Sequence, residues 1–194
     1  MYQNIKSFYR SILPKLTEEE WVALEECLTV KQVKKGEFVI KQGEICNHVS
    51  FINKGFVRFF MLVDGKEIST GFMMDGQYIS AYESFLTRQP SNENIDALQN
   101  TELLQLSYTD MQRIYEAYPV YHIFARKVAE HLFIQISQRT TALQLLSPEQ
   151  RYQNMIEKGS LLPQQIPQYM LASYIGVTPE HLSRIRKKMA QKGY

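Results

Sequence analysis

The chain has 194 residues, of which 44% are apolar and 22% are charged, so it can bury a sizeable core and is unlike a disordered protein in composition. No apolar run is long enough for a membrane span and the N-terminal residues lack the apolar region of a secretory signal, so we expect a cytoplasmic protein with no membrane partner. Residues 1–118 carry 12 basic and 16 acidic side chains, whereas residues 178–194 carry five basic and one acidic. This distribution predicts that only the C-terminal segment meets a polyanion.

A short helix is predicted over residues 17–28. Thr17 is typical of an N-cap, Glu20 lies at the capping-box position, and Trp21, Leu24 and Leu28 fall on one helical face. The two cysteines have no metal-ligand spacing, so we expect reduced, buried thiols and no metal or other cofactor.

Short apolar runs follow from residue 34 to residue 80, and glycines interrupt them at regular intervals. The Asp64-Gly65 pair between VRFFMLV and KEISTGFM is a strong signal for a type I′ hairpin turn. Strands at this spacing predict an antiparallel barrel or roll.

A long helix is predicted from Val120 to Ser147, a segment without proline or glycine. Its length exceeds what is needed to cover one face of a small roll, so we expect part of its apolar stripe to form a homodimer interface. The residues of that stripe are Val120, Phe124, Val128, Leu132 and Ile136. Ser147-Pro148 opens a further helix that should stop at Gly159, and residues 161–167 are predicted to be a connector.

The last 26 residues have the pattern of a helix-turn-helix. Gly176 supplies the positive φ that a tight turn requires, and Thr178 with Pro179 begins a second helix. The side chains expected to face inward recur at helical spacing; they are Met170, Leu171, Ile175, Val177, Leu182, Ile185 and Met189.

The opposite face of the second helix is polar and basic, which predicts that it binds double-stranded DNA. The Arg184 guanidinium can donate two hydrogen bonds to a guanine, and the Glu180 carboxylate can accept one from a cytosine amino group. Lysines near the helix end would hold phosphates. The predicted DNA-binding residues are Thr178, Pro179, Glu180, His181, Ser183, Arg184, Lys187 and Lys188.

The order of these elements resembles the Crp/Fnr superfamily of bacterial transcription regulators over nearly the whole chain. KKGEFVIKQGE is similar to the first glycine-marked strand pair of that family, and Thr178, Glu180 and Arg184 in IGVTPEHLSRIRKKM match its S/T-x-E-x-x-x-R pattern. The resemblance implies an α+β fold: an antiparallel, cyclic-nucleotide-binding-like sensor roll over residues 1–118, a dimerisation helix over 119–146 and a helix-turn-helix domain over 147–194. It also implies a homodimer that binds DNA, with RNA polymerase as a further partner.

Two departures from the family pattern affect the expected function. In members that bind cyclic AMP, the phosphate cassette reads G-E-L and then R-S/T-A, but this chain has Ser80, Ala81, Ser91 and Asn92 at the first two positions of each motif. Without the guanidinium and carboxylate, we expect weak or no cyclic AMP binding. The family's β-hairpin wing is expected to be truncated or absent.

Any other small-molecule effector is expected to contact Tyr82, Glu83, Ser84, Arg88, Ser91 and Asn92. The alternative to a DNA-binding regulator is a ligand- or protein-binding sensor that has lost effective DNA binding. We do not expect an enzyme, because the four histidines are scattered and the sequence contains no GxSxG, Walker or HExxH motif.

Overall fold

The computed structural model describes residues 2–157, 160 and 162–191. It divides into two compact units. Unit 1 comprises the described residues of 1–61 and 71–130, and unit 2 comprises those of 62–70 and 131–194. Unit 2 therefore contains the tip of one hairpin of the roll as well as the C-terminal helices.

The strands and helices follow the predicted order. The strands are β1 (Leu28–Val33), β2 (Phe38–Ile40), β3 (His48–Lys54), β4 (Phe56–Val63), β5 (Lys66–Met74), β6 (Tyr78–Ile79), β7 (Asn94–Ala97) and β8 (Thr101–Ser107). The helices are α1 (Gln3–Ile12), α2 (Glu18–Glu25), α3 (Tyr82–Thr87), α4 (Tyr108–Ala117), α5 (Val120–Leu145), α6 (Pro148–Glu157), α7 (Leu162–Gln165), α8 (Gln168–Ile175) and α9 (Pro179–Ala190).

Within the described residues, the strands form two four-stranded sheets, in the orders β1-β8-β3-β6 and β2-β7-β4-β5. The pairings of β8 with β1 and β3, and of β7 with β2 and β4, are antiparallel. The predicted antiparallel roll is confirmed. In its first sheet, β1 and β8 pair continuously from Leu28 opposite Leu106 to Val33 opposite Thr101.

Two turns show why the sequence specifies this topology. Asp64 and Gly65 both have positive φ, at 50° and 73°, as a type I′ hairpin between β4 and β5 requires. Gly55 joins β3 to β4 with φ 132°, and a Cβ there would lie 2.3 Å from the Thr101 Oγ1 atom. No side chain fits at Gly55 without displacing β8.

Helix α2 begins as predicted. The Thr17 side chain accepts from the backbone N–H of Glu20, and the Glu20 carboxylate accepts from the backbone N–H of Thr17. Trp21 and Leu24 are buried. Leu28, predicted on the same helical face, instead begins β1 because the helix ends at Glu25.

The core of unit 1 extends beyond the roll to include α1 and the start of α5. Aromatic rings join these elements: Phe124 of α5 stacks on Tyr9 of α1 at 4.1 Å between centroids, and Phe8 contacts Phe51 of β3 at 5.7 Å. The Tyr121 hydroxyl donates to the backbone carbonyl of Glu20. Burial raises the pKa of Tyr9 and Tyr78 well above the usual tyrosine value, so these phenols stay neutral.

In unit 2, α5 ends before Ser147, whose hydroxyl accepts from the backbone N–H of Gln150 at the start of α6. Helix α7 occupies part of the segment predicted to be a connector. Gly159, the predicted end of α6, and any residue of a wing after Gln191 lie outside the described residues. No helix among the described residues is long and apolar enough to cross a membrane.

Candidate functional site

Helices α8 and α9 form the predicted helix-turn-helix geometry. Gly176 adopts φ 83° and its N–H donates to the carbonyls of Ala172 and Ser173, which ends α8. The Thr178 side chain then accepts from the backbone N–H of His181 and caps α9, with Pro179 in the first helical position. Gln168 fixes the starts of the two helices together, because its side-chain amide donates to the Pro179 carbonyl at 2.9 Å.

The apolar side chains of the two helices face each other. Those that are buried include Met170, Leu171, Ile175, Leu182 and Ile185. Val177 and Met189 are only partly buried. Burial of this stripe leaves the opposite face of α9 in solvent.

That solvent face of α9 carries the predicted DNA-binding side chains. Thr178, Pro179, Glu180, Ser183, Arg184, Lys187 and Lys188 are exposed, and His181 is partly exposed. The side chains of Arg184, Lys187 and Lys188 make no hydrogen bond to any described residue. Three cations therefore project from one helix with their donors available.

The acidic residue on this face is held ionised. A hydrogen bond with its own backbone N–H, and a weaker contribution from the Thr178 side chain, lower the pKa of Glu180. Its position in the first turn of α9 also places negative charge at the positive end of the helix dipole. Glu180 is therefore available only as an acceptor.

Two other arginines hold unit 2 together. The Arg151 guanidinium donates to the carbonyl of Ile175 at 3.0 Å and to that of Leu146 at 2.6 Å, so it joins the ends of α8 and α5. Arg186 of α9 donates to the Tyr152 hydroxyl at 3.2 Å and to the Pro163 carbonyl at 3.0 Å. The sequence analysis placed Arg184 on the DNA-binding face and neither of these two arginines, but it did not predict their partners.

The tip of the β4–β5 hairpin contacts α8 within unit 2. The Ser173 hydroxyl accepts from the backbone N–H of Ser69 at 2.9 Å and donates to the carbonyl of Glu67 at 3.2 Å. On the same helix, the Tyr174 ring is covered by the Arg139 guanidinium of α5 at 4.1 Å. Sequence reasoning missed both contacts, since neither serine nor tyrosine stands out in its segment.

The proposed dimer stripe on α5 divides into a covered part and a free part. Phe124 is buried in the core of unit 1, and Val120 and Val128 pack against that core. Ile136 is 64% exposed and Leu132 is partly buried. Phe124 is thus already used within its own chain, because α1 packs beside it, and it is not free for a second copy.

Sequence reasoning missed Phe133 and Leu143, two exposed apolar residues of α5 that lie outside the predicted stripe. Phe133 is 73% exposed, and Ile136 and Leu143 are also exposed. With Thr140, these residues are spaced by three, four and three positions, which is the spacing of a coiled-coil seam. The sequence shows this spacing as a heptad pattern that is offset from the predicted stripe beginning at Val120.

The predicted effector residues lie on and around α3, where a phosphate cassette would be. Tyr82, Glu83 and Asn92 are exposed, while Ser84 and Ser91 are buried. The Ser84 hydroxyl accepts from the backbone N–H of Cys46, and the Ser91 hydroxyl donates to the carbonyl of Glu93. Both buried hydroxyls therefore stabilise their own loops.

Arg88 is also engaged within the protein. It ends α3 with φ 59°, and its guanidinium donates to the carbonyls of Cys46 and Phe85 and to the Asn47 side chain. The same group lies 4.4 Å from the centroid of the Tyr108 ring. A ligand would have to displace these contacts to use this cation.

The cassette region also carries unfavourable charge for an anion. Burial, followed by the nearby Glu83 carboxylate, raises the pKa of Glu93 to about 7. A phosphate here would meet the negative charge of Glu83, and the guanidinium of Arg88 is already paired to carbonyls.

A separate cavity of about 110 Å³ opens into the roll near the β2–β3 loop. Among the described residues, its lining includes none of the six predicted effector residues. Its polar lining residues are Lys31, Glu44, Cys46, Asn47, His48, Ser50, Ser80 and Gln105. Ligand pockets for drug-sized molecules usually enclose 300–1,000 Å³, so this cavity is too small for a nucleotide.

Both cysteines are buried and free, as predicted. Within the described part of the chain, no three His, Cys, Asp or Glu side chains come together as metal ligands.

Comparisons with known proteins agree with this geometry. Residues 30–118 match the family model of the cyclic nucleotide-binding domain. The transcriptional activator protein anr of Pseudomonas aeruginosa is 21% identical over 191 residues, which cover 92% of this chain and 78% of the relative. A solved transcriptional regulator of the crp/fnr family from Eubacterium rectale is 18% identical, with a TM-score of 0.69 over 94% of this chain and 87% of its own.

In sequence and fold, the chain is therefore similar to regulators of the Crp/Fnr superfamily. The Thermus thermophilus catabolite activator protein is similar as well, at 24% identity and a TM-score of 0.59, with 94% of this chain and 87% of that one covered. The likeness to these solved structures shows that the chain has their fold, and the predicted resemblance and fold class are confirmed.

Proposed function

We propose that the chain is a homodimeric, sequence-specific DNA-binding regulator of transcription. The observation that carries the proposal is the face of α9, where Arg184, Lys187 and Lys188 project into solvent without a hydrogen-bonding partner among the described residues. The relatives in the superfamily include transcriptional regulators, which supports this assignment and a role other than that of an enzyme. RNA polymerase is the further partner that such a role would require.

In this proposal α9 lies in the major groove. Arg184 donates two hydrogen bonds to a guanine and Glu180 accepts one from a cytosine amino group, because these pairings match the donors and acceptors of the base edges. Lys187 and Lys188, near the end of the helix, neutralise phosphates. Thr178, Pro179, His181 and Ser183 complete the surface that faces the duplex.

We place the dimer interface on the free part of the α5 stripe. Phe133, Ile136 and Leu143 are exposed apolar side chains. Burying them against a second copy would stabilise the dimer by about 25 cal/mol for each Å² of apolar surface removed from water. Two reading helices per dimer would then contact half-sites one helical turn of DNA apart.

We also propose that the roll does not bind cyclic AMP in the family's usual manner. Ala81 and Ser91 supply neither the carboxylate nor the guanidinium, the Ser91 hydroxyl is bonded to its own loop, and the nearby Glu83 carboxylate adds negative charge. A different effector at Tyr82, Glu83, Ser84, Arg88, Ser91 or Asn92 would have to displace existing contacts or bind the exposed side chains.

Selection of DNA from a random duplex pool tests the regulator proposal. The purified protein should enrich a two-fold symmetric sequence, and the enriched duplex should bind more tightly than its scrambled version by at least about 10³-fold at physiological salt. Enrichment of no sequence, with no shift of any duplex at low salt, would favour the alternative of a sensor that has lost effective DNA binding.

A further inference from the structure

The cavity near the β2–β3 loop has the size of a site for a very small ligand. Its volume of about 110 Å³ corresponds to about three or four water molecules at roughly 30 Å³ each. The floor is apolar, with Ile40, Ile79 and Ile95 in the lining, and Lys31, His48 and other polar groups complete it. A molecule of about four non-hydrogen atoms fits, which is the size of acetate.

Hydrogen-bond donors predominate in the polar lining. The Gln105 side-chain amide donates to the Ser50 hydroxyl at 3.0 Å, and both residues are buried. That bond leaves the Ser50 hydroxyl proton and the second amide proton of Gln105 without partners among the described residues. The His48 ring likewise makes no hydrogen bond to the part of the chain that the structure describes.

Lys31 is the cation of this cavity. Its ammonium group makes one long contact, 3.4 Å to the carbonyl of Val39, and no ion pair with a described residue. Burial is the main cause that lowers the pKa of His48, and the positive charge of Lys31 is the next. Asp110 acts weakly in the opposite direction. Two groups that carry or acquire positive charge therefore line one cavity and repel each other.

The remaining polar lining groups limit the charge of a ligand. The Glu44 carboxylate accepts the backbone N–H of Lys41 with one oxygen and also lines the cavity. The Cys46 thiol is occupied, since it donates to the His48 carbonyl at 3.3 Å and contacts the Ser80 hydroxyl at 3.4 Å. One lysine opposed by one glutamate accommodates a single negative charge better than two.

We propose that this cavity is a binding site for a small monoanionic carboxylate, with Lys31 as its counter-ion and Ser50, Gln105 and His48 as hydrogen-bond donors. The site borders the first two cassette positions, Ser80 and Ala81, but contains none of the six predicted effector residues. It does not depend on the DNA-binding proposal. A bound carboxylate would offset the repulsion between Lys31 and a protonated His48, so ligand and proton should bind cooperatively.

The test is an NMR titration of the full chain with sodium acetate, at an ionic strength held constant with sodium chloride. The His48 ring signal is assigned by its loss in His48→Gln. We expect acetate to move this signal along a saturating curve and to raise the pH midpoint of its titration. Lys31→Gln should weaken the acetate response by at least about tenfold, because a charge-assisted bond is lost.

Lys34→Gln is the matched control, since Lys34 is exposed, directly follows β1 and does not line the cavity. It should leave the response unchanged. Ser50→Ala removes one donor without a change of charge and should weaken acetate binding while the spectrum stays folded.

Three outcomes would overturn the proposal. They are a response that does not saturate, an equal response to added chloride, and equal responses in Lys31→Gln and Lys34→Gln. The first two would indicate screening of surface charge only, and the third would show that Lys31 is not the counter-ion. DNA binding is not measured in this experiment, so its failure leaves the regulator proposal intact.

Discussion

Arg184 and Arg186 stand two positions apart on α9, and the structure predicts opposite consequences when each is replaced by alanine. Arg184 is exposed and its side chain bonds to no described residue. Its loss should therefore change the free energy of unfolding by less than about 0.5 kcal/mol. On the selected DNA site, loss of a bidentate contact to guanine should cost about 1–3 kcal/mol, or about 5- to 150-fold in affinity.

Arg186→Ala should act on stability. It removes the hydrogen bonds to the Tyr152 hydroxyl and the Pro163 carbonyl, and Tyr152 is buried. Loss of two partly buried bonds from a charged donor should cost about 2 kcal/mol. For a unit of this size that lowers Tm by about 8–16 °C. Well below this transition, affinity for selected DNA should change little.

The assay pairs thermal unfolding, followed by circular dichroism, with fluorescence anisotropy on selected and scrambled duplexes at two salt concentrations. Lys187→Ala serves as the phosphate control. It should weaken binding to both duplexes alike and reduce the magnitude of the log–log salt slope by about one. The reasoning is refuted if Arg184→Ala lowers Tm as much as Arg186→Ala, or if Arg184→Ala and Lys187→Ala give the same profile on both duplexes.

Three further predictions concern the dimer, the cassette and pH. Ile136→Glu should convert the dimer to a monomer in light scattering at tens of micromolar, because it places charge in the seam, whereas Gln138→Glu on another face of α5 should not; a monomeric wild-type protein would contradict the proposed interface. Calorimetry with cyclic AMP should show no binding in the micromolar range, and a micromolar Kd would show that other groups replace the missing cassette residues. The pKa of Glu93 is raised to about 7 in the fold, so its contribution to stability is fully present below about pH 4.5 and lost as pH rises through 7, by at most about 3 kcal/mol. Urea unfolding of Glu93→Gln across this range should show a smaller fall with pH than the wild type, and an unchanged fall would exclude Glu93 as its source.

Local signals predicted the fold well where each signal has a local physical cause. The capping box at Thr17 and Glu20, the positive-φ turn at Asp64 and Gly65, and the cap at Thr178 all depend on residues close together in the sequence. Each of these features lies in the structure where the sequence placed it.

Contacts distant in the chain were not predictable in the same way. The apolar spacing that includes Phe124 is compatible with packing against α1 or against a second copy. The stacking of Phe124 on Tyr9 shows that its partner is α1. Arg88 has the charge of a ligand contact, but its carbonyl partners are 42 and three residues away. Periodicity predicts which face of a helix is apolar, whereas the element that covers this face depends on tertiary packing.

The hydroxyl of Ser173 has a consequence for solubility. Strand β5 is at the end of its sheet, and the Glu67 carbonyl and Ser69 N–H are backbone groups that a strand of another molecule would use for pairing. Because Ser173 occupies both groups, this segment is blocked as a template for intermolecular β-sheet growth. Ser173→Ala should expose that template, so the variant should aggregate faster on storage at high concentration, with increased binding of a dye specific for cross-β structure.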